Sequence, residues 1–272
     1  MIYVHTYLTD GFFEMTQVFL DSYEASGNPF PVAVDARGLS DEQELALCTH
    51  PSVWVVNSKP YDWADLERKT GTELSLLRRH KHQIEHIYVT PASRVWKLLF
   101  AGDDRVKAIR ELLFCPERYQ LFGGMRPSGL LHFDADTLFR GDISDLQELL
   151  SEFEIGLKLR PSIKPIKARI TIDCVAIKPT PNARRFLDDW INIIDSVPPA
   201  QRPVGFGQSS CWQAFELNRR NLNFSKLPER YGMPGQNAAN NVVWNGNKHN
   251  LAKGDCVKLF RNELKKMQEE RT

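Results

Sequence analysis

Asp134 and Asp136 stand one residue apart directly after the apolar run Gly129-Leu130-Leu131-His132-Phe133. Two carboxylates at the end of a buried strand cost free energy unless something positive meets them. If the chain stays extended there, alternation turns both side chains to the same side. Two hard oxygen donors so placed suit Mn²⁺ or Mg²⁺, with phosphate oxygens filling the remaining positions. Such a cation would neutralise charge on a departing diphosphate. The plainer alternative is a polar turn in which Asp136 caps the next helical segment. A second candidate is His82-Gln83-Ile84-Glu85-His86, an H-x-x-E-H pattern. Its two histidines would share a helix face, as a zinc protease requires. Arg78, Arg79, His80 and Lys81 crowd the same segment, which reads equally as a solvated basic helix face.

The elements that would position these residues follow from apolar periodicity. Ile2 to Leu8 predicts a strand, and the spacing of Met15, Val18, Phe19 and Tyr23 predicts a helix that Gly27, Asn28 and Pro29 end. Pro31 to Asp35 and Val53 to Val56 read as strands, with a helix from Asp41 between them. Helices dominate from about Thr72 to Leu113. Gly129 to Phe133 returns to a strand and leads into Asp-Ala-Asp. A helix over Ile143 to Leu150, strands at Phe153 to Leu159 and Ile170 to Ile177, and helices at Asn182 to Ile194 and near Gln208 complete the pattern. Lys258 to Glu270 predicts an outer amphipathic helix. Such alternation implies βαβ units and a mostly parallel sheet, whose ligands bind beyond the C-terminal ends of the strands. No repeat or long linker divides the 272 residues, so one domain is expected.

Composition narrows the class. With 35 Lys+Arg against 34 Asp+Glu, the net charge of +1 lacks the basic excess of a nucleic-acid binder. Cys48, Cys115, Cys174, Cys211 and Cys256 are scattered and odd in number, which excludes a disulfide framework or C-x-x-C zinc site and fits a reducing, cytoplasmic setting. The first residues have no basic n-region, and no apolar run is long enough to span a bilayer.

Leu130 to Phe139, read with Gly141-Asp142-Ile143, resembles the metal-site segment of GT-A glycosyltransferases, including glycogenin-like enzymes and bacterial lipopolysaccharide galactosyltransferases. The resemblance implies an α/β fold, a GT-A-like, Rossmann-related mixed sheet flanked by helices. It divides the domain into a nucleotide-sugar-binding half (1–136), an acceptor-side half (137–255) and a C-terminal helix (256–272). It implies a metal-dependent enzyme moving a sugar from a nucleoside-diphosphate sugar, UDP favoured, to a saccharide or other hydroxyl acceptor. Thr6 and Tyr7 would then meet the base and ribose, and Arg94 and Lys97 would reach the donor. Asp134, Asp136 and His249 would hold Mn²⁺ or Mg²⁺, with Asp134 also touching the donor. Lys248 and Lys253 would meet the diphosphate. The tail from Lys248 to Lys253 is shorter than the family's H-x-x-G-x-x-K-P-W and lacks its glycine and Pro-Trp. On the acceptor side the resemblance points to Asp173 and Gln208. Relatives show Asp-Gln where this chain has Gly207-Gln208, which leaves Asp173 as the nearest carboxylate.

Two further readings stay open. Asp134-Ala135-Asp136-Thr137 looks like the first motif of haloacid-dehalogenase-type phosphatases, but that motif needs threonine where Leu138 stands. Its later acidic motif is also missing, because Leu259 occupies the position four residues after Asp255. A non-catalytic sugar-nucleotide-binding protein would keep the donor site without turnover.

Overall fold

A computed structural model describes residues 1–62, 64, 104–120, 123–159, 169–198, 201–202, 206–231, 241–245 and 253–270. Along the chain run β1 (Ile2–Thr9), α1 (Phe13–Ala25), β2 (Val32–Arg37), α2 (Asp41–Cys48), β3 (Val53–Lys59), α3 (Asp104–Phe114) and α4 (Pro116–Tyr119). Then follow β4 (Gly129–Phe133), β5 (Thr137–Phe139), α5 (Asp145–Glu152), β6 (Ile155–Leu159) and β7 (Ile170–Ile177). The last are α6 (Pro181–Asp195), α7 (Phe206–Asn218), β8 (Phe224–Lys226), β9 (Val243–Asn245) and α8 (Lys253–Glu269).

Among the described residues the main sheet has seven strands in the order β3-β2-β1-β4-β7-β6-β8. The four strands from β3 to β4 are parallel, whereas β7 runs antiparallel to both β4 and β6. The mixed sheet flanked by helices is the fold class expected from the sequence. β1 and β4 sit at its middle and are buried along almost their whole length, which is why they read as continuous apolar runs.

Each face of the sheet has its own core. Tyr3, Leu130 and Ile172 pack with α3, α6 and α7 on one side, while Val4, Leu131 and Phe133 pack with α1 on the other. α6 shows how sequence fixes such a contact: Pro181 opens it, the Thr180 side chain accepts a hydrogen bond from the Ala183 amide, and Ala183, Phe186, Leu187, Trp190 and Ile194 form the buried stripe. α1 stops at Ser26, where Gly27 takes a φ of 68° that other residues resist.

Two short strands depart from the sequence reading. β5 follows Asp-Ala-Asp immediately and pairs antiparallel with β9, forming a separate ribbon that packs with α1 and α8. The sequence reading places neither strand: it names Ile143 to Leu150 as the next element after Asp136 and assigns no strand to the tail from Val242. Chain segments of three residues carry too little periodicity to declare themselves, and only their partner makes them strands. All five cysteines are free thiols. Among the described residues no helix is long and apolar enough to cross a membrane.

Candidate active site

The parallel register of β1 and β4 sets His5 directly beside His132. Side chains alternate along a strand, so Tyr7 and Asp134, each two residues further on, follow on the same side of the sheet. Asp35 on β2 lies opposite Tyr7. The C-terminal ends of three neighbouring strands therefore collect two carboxylates, two imidazoles and a phenol.

Asp134 leaves the ladder with its amide still donating to the Asp173 carbonyl at 3.1 Å. Residues 134–136 then turn, because β5 must leave the main sheet to reach β9. Asp-Ala-Asp is thus a turn between two strands and not the extended segment the alternation argument assumed. Asp136 does not cap a helix, since Thr137 begins β5. Asp136 is buried, and Asp134 is partly open.

Asp134 is held as an anion. Burial raises its carboxyl, but the Arg105 guanidinium and His132 outweigh that and bring it down to about 2. Arg105 donates from α3 to Asp134 Oδ1, and His132 Nε2 lies 3.5 Å from the same oxygen. Burial pushes the His132 imidazole down to about 3, against the opposing pull of Asp134. His132 Nδ1 meets His5 Nδ1 at 3.0 Å, and His5 Nε2 lies 3.2 Å from Asp35 Oδ2. Burial raises the Asp35 carboxyl, yet His5, Arg118 and Asn57 together lower it below the usual carboxylate range. Arg118 Nη2 donates to both Asp35 oxygens, at 2.7 and 3.0 Å.

Beyond these strand ends lies a cleft lined by Tyr7, Asp35, Arg37, Asn57, Lys59 and Asp104, among others. Tyr7 Oη and Arg37 Nε both donate to Asp104 Oδ2, each at 3.2 Å. Burial, then the nearby Asp104 charge, raises the Tyr7 phenol well above its ordinary value, so it stays a neutral donor. Thr6 faces the opposite way and is wholly buried, so its side chain does not open on this cleft.

On the other flank of β4, Asp173 of β7 pairs through Oδ2 with Lys158 Nζ at 3.1 Å, both side chains nearly buried. Gln208 lies half-buried in the first turn of α7. Lys253 opens α8. Arg94, Lys97, Lys248, His249 and the H-x-x-E-H segment lie outside the described residues. Among the described residues no group of three or more His, Cys, Asp and Glu could hold a metal ion. What the described site offers a cation is the Asp134–Asp136 pair of hard oxygen donors, of which Asp134 is held ionised, and such a pair suits Mn²⁺ or Mg²⁺ with positions left for phosphate.

No protein-family model matches the chain, and no curated protein matches it. Solved structures do. The galactosyltransferase LgtC, solved with donor and acceptor sugar analogues, matches over 98% of this chain and 96% of its own, with a TM-score of 0.51 and 10% identity. GlyE, a glycosyltransferase of Streptococcus pneumoniae, matches with a TM-score of 0.52 and 9% identity, over 99% of this chain and 63% of GlyE. The chain has a glycosyltransferase fold.

Within this glycosyltransferase fold the sequence reading overlooked the residues that surround Asp134. His5 and His132 were visible as ionisable side chains inside apolar strands, where such residues are rare without partners. Arg105 was legible too. It shares a helix face with Ile109 and Leu112, both core residues, so it had to point inward. Lys158 sits in the run Ile155-Gly156-Leu157-Lys158-Leu159 with the same signature. Asp35 and Arg118 carried no local signal, because their pairing joins α4 to β2.

Proposed function

We propose that the chain is a metal-dependent glycosyltransferase that moves a sugar from a nucleoside-diphosphate sugar, UDP favoured, to a hydroxyl acceptor. The observation that carries this reading is the Asp-Ala-Asp turn at the end of β4, with Asp134 held ionised by Arg105. Asp134 and Asp136 would hold Mn²⁺ or Mg²⁺, and that ion, when bound, supplies positive charge to the leaving diphosphate. Arg105 orients Asp134 for this task. Tyr7 lines the cleft for the base or ribose, with its hydroxyl directed by Asp104. Asn245 pairs with Thr137, next to Asp136, so the segment carrying Lys248 and His249 begins beside the carboxylates. His249 is assigned to the metal shell, and Lys248 or Lys253 to the diphosphate. Asp173 and Gln208 are assigned to the acceptor side, where Lys158 pairs with Asp173 and directs its carboxylate. The phosphatase alternative needs a threonine where Leu138 stands.

The test is thermal melting with UDP and GDP, in Mn²⁺ and in EDTA. A nucleotide at a hundred times its dissociation constant should stabilise by about 2.7 kcal/mol, and by far less in EDTA. A panel of sugar nucleotides then reads donor turnover. Metal-linked binding without transfer or donor hydrolysis would leave a sugar-nucleotide-binding protein, and no metal-linked shift with any nucleoside diphosphate would overturn the donor site.

A further inference from the structure

Three buried ionisable side chains and the partly open Asp134 run as one line across three strands. Asp35 on β2 meets His5 on β1 at 3.2 Å, His5 meets His132 on β4 at 3.0 Å, and His132 lies 3.5 Å from Asp134. His5 and His132 are 0% and 1% exposed, and their rings tilt by 39° at a centroid distance of 5.0 Å. Both ends are clamped by arginines from neighbouring helices, Arg118 of α4 on Asp35 and Arg105 of α3 on Asp134. Asn57 of β3 adds a third donor to Asp35.

Such a line is an expensive way to fill the middle of a sheet. Polar groups taken from water must recover their hydrogen bonds inside, and a half-satisfied network is worse than an apolar core. On the same face Leu130 and Val175, the neighbours of His132, are buried apolar residues, so the fold itself accepts hydrocarbon here. The two ends of the line also differ in what they face. Asp35 and Asn57 line the cleft beyond β1 to β3, while Asp134 belongs to the carboxylate turn. Planar imidazoles with almost no exposed surface have little freedom, so a shift of one carboxylate passes to the next group as a change in the spacing and tilt of the rings.

We propose that Asp35 and His5 are positioning residues for Asp134, acting through His132, and that they tie ligand contact in the cleft to the setting of the Asp-Ala-Asp carboxylates. The proposal rests on the donor-site reading above. It assigns the interior of the sheet a task in binding a nucleoside diphosphate and a divalent cation together, where neither Asp35 nor His5 touches the cation.

The experiment uses the full chain with His5→Gln, His5→Asn, Asp35→Asn and Arg118→Gln. His5→Gln keeps an amide within reach of Asp35, and His5→Asn keeps one within reach of His132. Asp35→Asn preserves shape, and Arg118→Gln loosens the line at its outer end. Circular dichroism and apo melting confirm folding, and calorimetry then measures UDP binding in Mn²⁺ and in EDTA. In the His5 and Arg118 variants, replacing a group that helps orient a metal-binding carboxylate should lower UDP affinity in Mn²⁺ by up to about tenfold while the affinity in EDTA stays within about twofold. Asp35→Asn also alters the cleft lining and should lower affinity in both, more in Mn²⁺. The loss should be smaller for Arg118→Gln than for the His5 variants. Equal losses with and without Mn²⁺, or none, in the variants that fold would make the line merely structural and overturn the proposal. Failure of the unsubstituted protein to bind UDP in a Mn²⁺-dependent way would instead remove the donor site itself, a result read before any variant is made.

Discussion

Arg105 reaches Asp134 across the end of β4, and the two side chains compensate each other where water is scarce. Taking away one member of such a pair strands the other. Arg105→Met should therefore destabilise the protein by about 3 kcal/mol, and adding Asp134→Asn should restore much of that loss. Urea unfolding of the two single variants and the double variant measures the coupling, and simple additivity would show that the pair is not energetically joined. Asp136→Asn keeps shape but removes a charge, so metal-linked nucleotide stabilisation and transfer should both vanish while the apo melting temperature moves little. His132 gives a pH dependence with a definite sign. Its folded pKa is pushed down to about 3, whereas an unfolded histidine titrates near ~6.5. Below that value the unfolded chain takes up a proton the folded one refuses. Stability should fall as pH drops from about 6.5 toward 3, by at most ~1.4 kcal/mol per pH unit from this group. Asp134 adds to the loss only at lower pH, because its stabilisation is present above about 4 and disappears as pH falls through about 2. Urea melts at several pH values should show a shallower slope for His132→Gln, and an unchanged slope would remove His132 as the cause.

At the scale of elements, the long buried strands were the most legible. β4 and β7 occupy the residues expected of them, since short mostly apolar runs buried on both faces, broken by His132 in one and Asp173 in the other, leave little choice. Helix ends moved by a few residues, most at α8, which begins at Lys253 and not Lys258. The β5–β9 ribbon was hidden. Trp244 of β9 is nearly buried, with its ring 4.9 Å from Phe260 of α8 and the Arg140 guanidinium 4.7 Å from its centre. Trp244→Ala should cost about 3–5 kcal/mol and should speed amide exchange in α8 before the main sheet is affected. Protection of α8 that outlasts a global loss of stability would mean the ribbon does not hold the helix. The same ribbon explains why Asp-Ala-Asp turns, because the chain must leave the central sheet there to pair elsewhere.

For the molecule as a whole, the main sheet joins strands from residues 2–59 to strands from 129–226 without interruption, because β4 bonds β1 on one side and β7 on the other. Unfolding in urea should accordingly follow one curve whether read by circular dichroism or by tryptophan fluorescence. Separate curves would make 1–136 and 137–255 independent units. The sequence by itself determined the α/β class, the central strands and the Asp-Ala-Asp position, since each is written in contiguous residues as period, polarity and spacing. It also placed His5, His132 and Arg105 on inward faces, without saying what they would meet there. Tertiary structure alone decided that Asp35, His5, His132 and Asp134 form a line, that Lys158 meets Asp173, and that the tail pairs beside Asp136. Apart from His132 and Asp134, those contacts join residues 15 to 127 positions apart, and contacts between distant residues leave no period in the sequence because their geometry exists only after the strands have aligned.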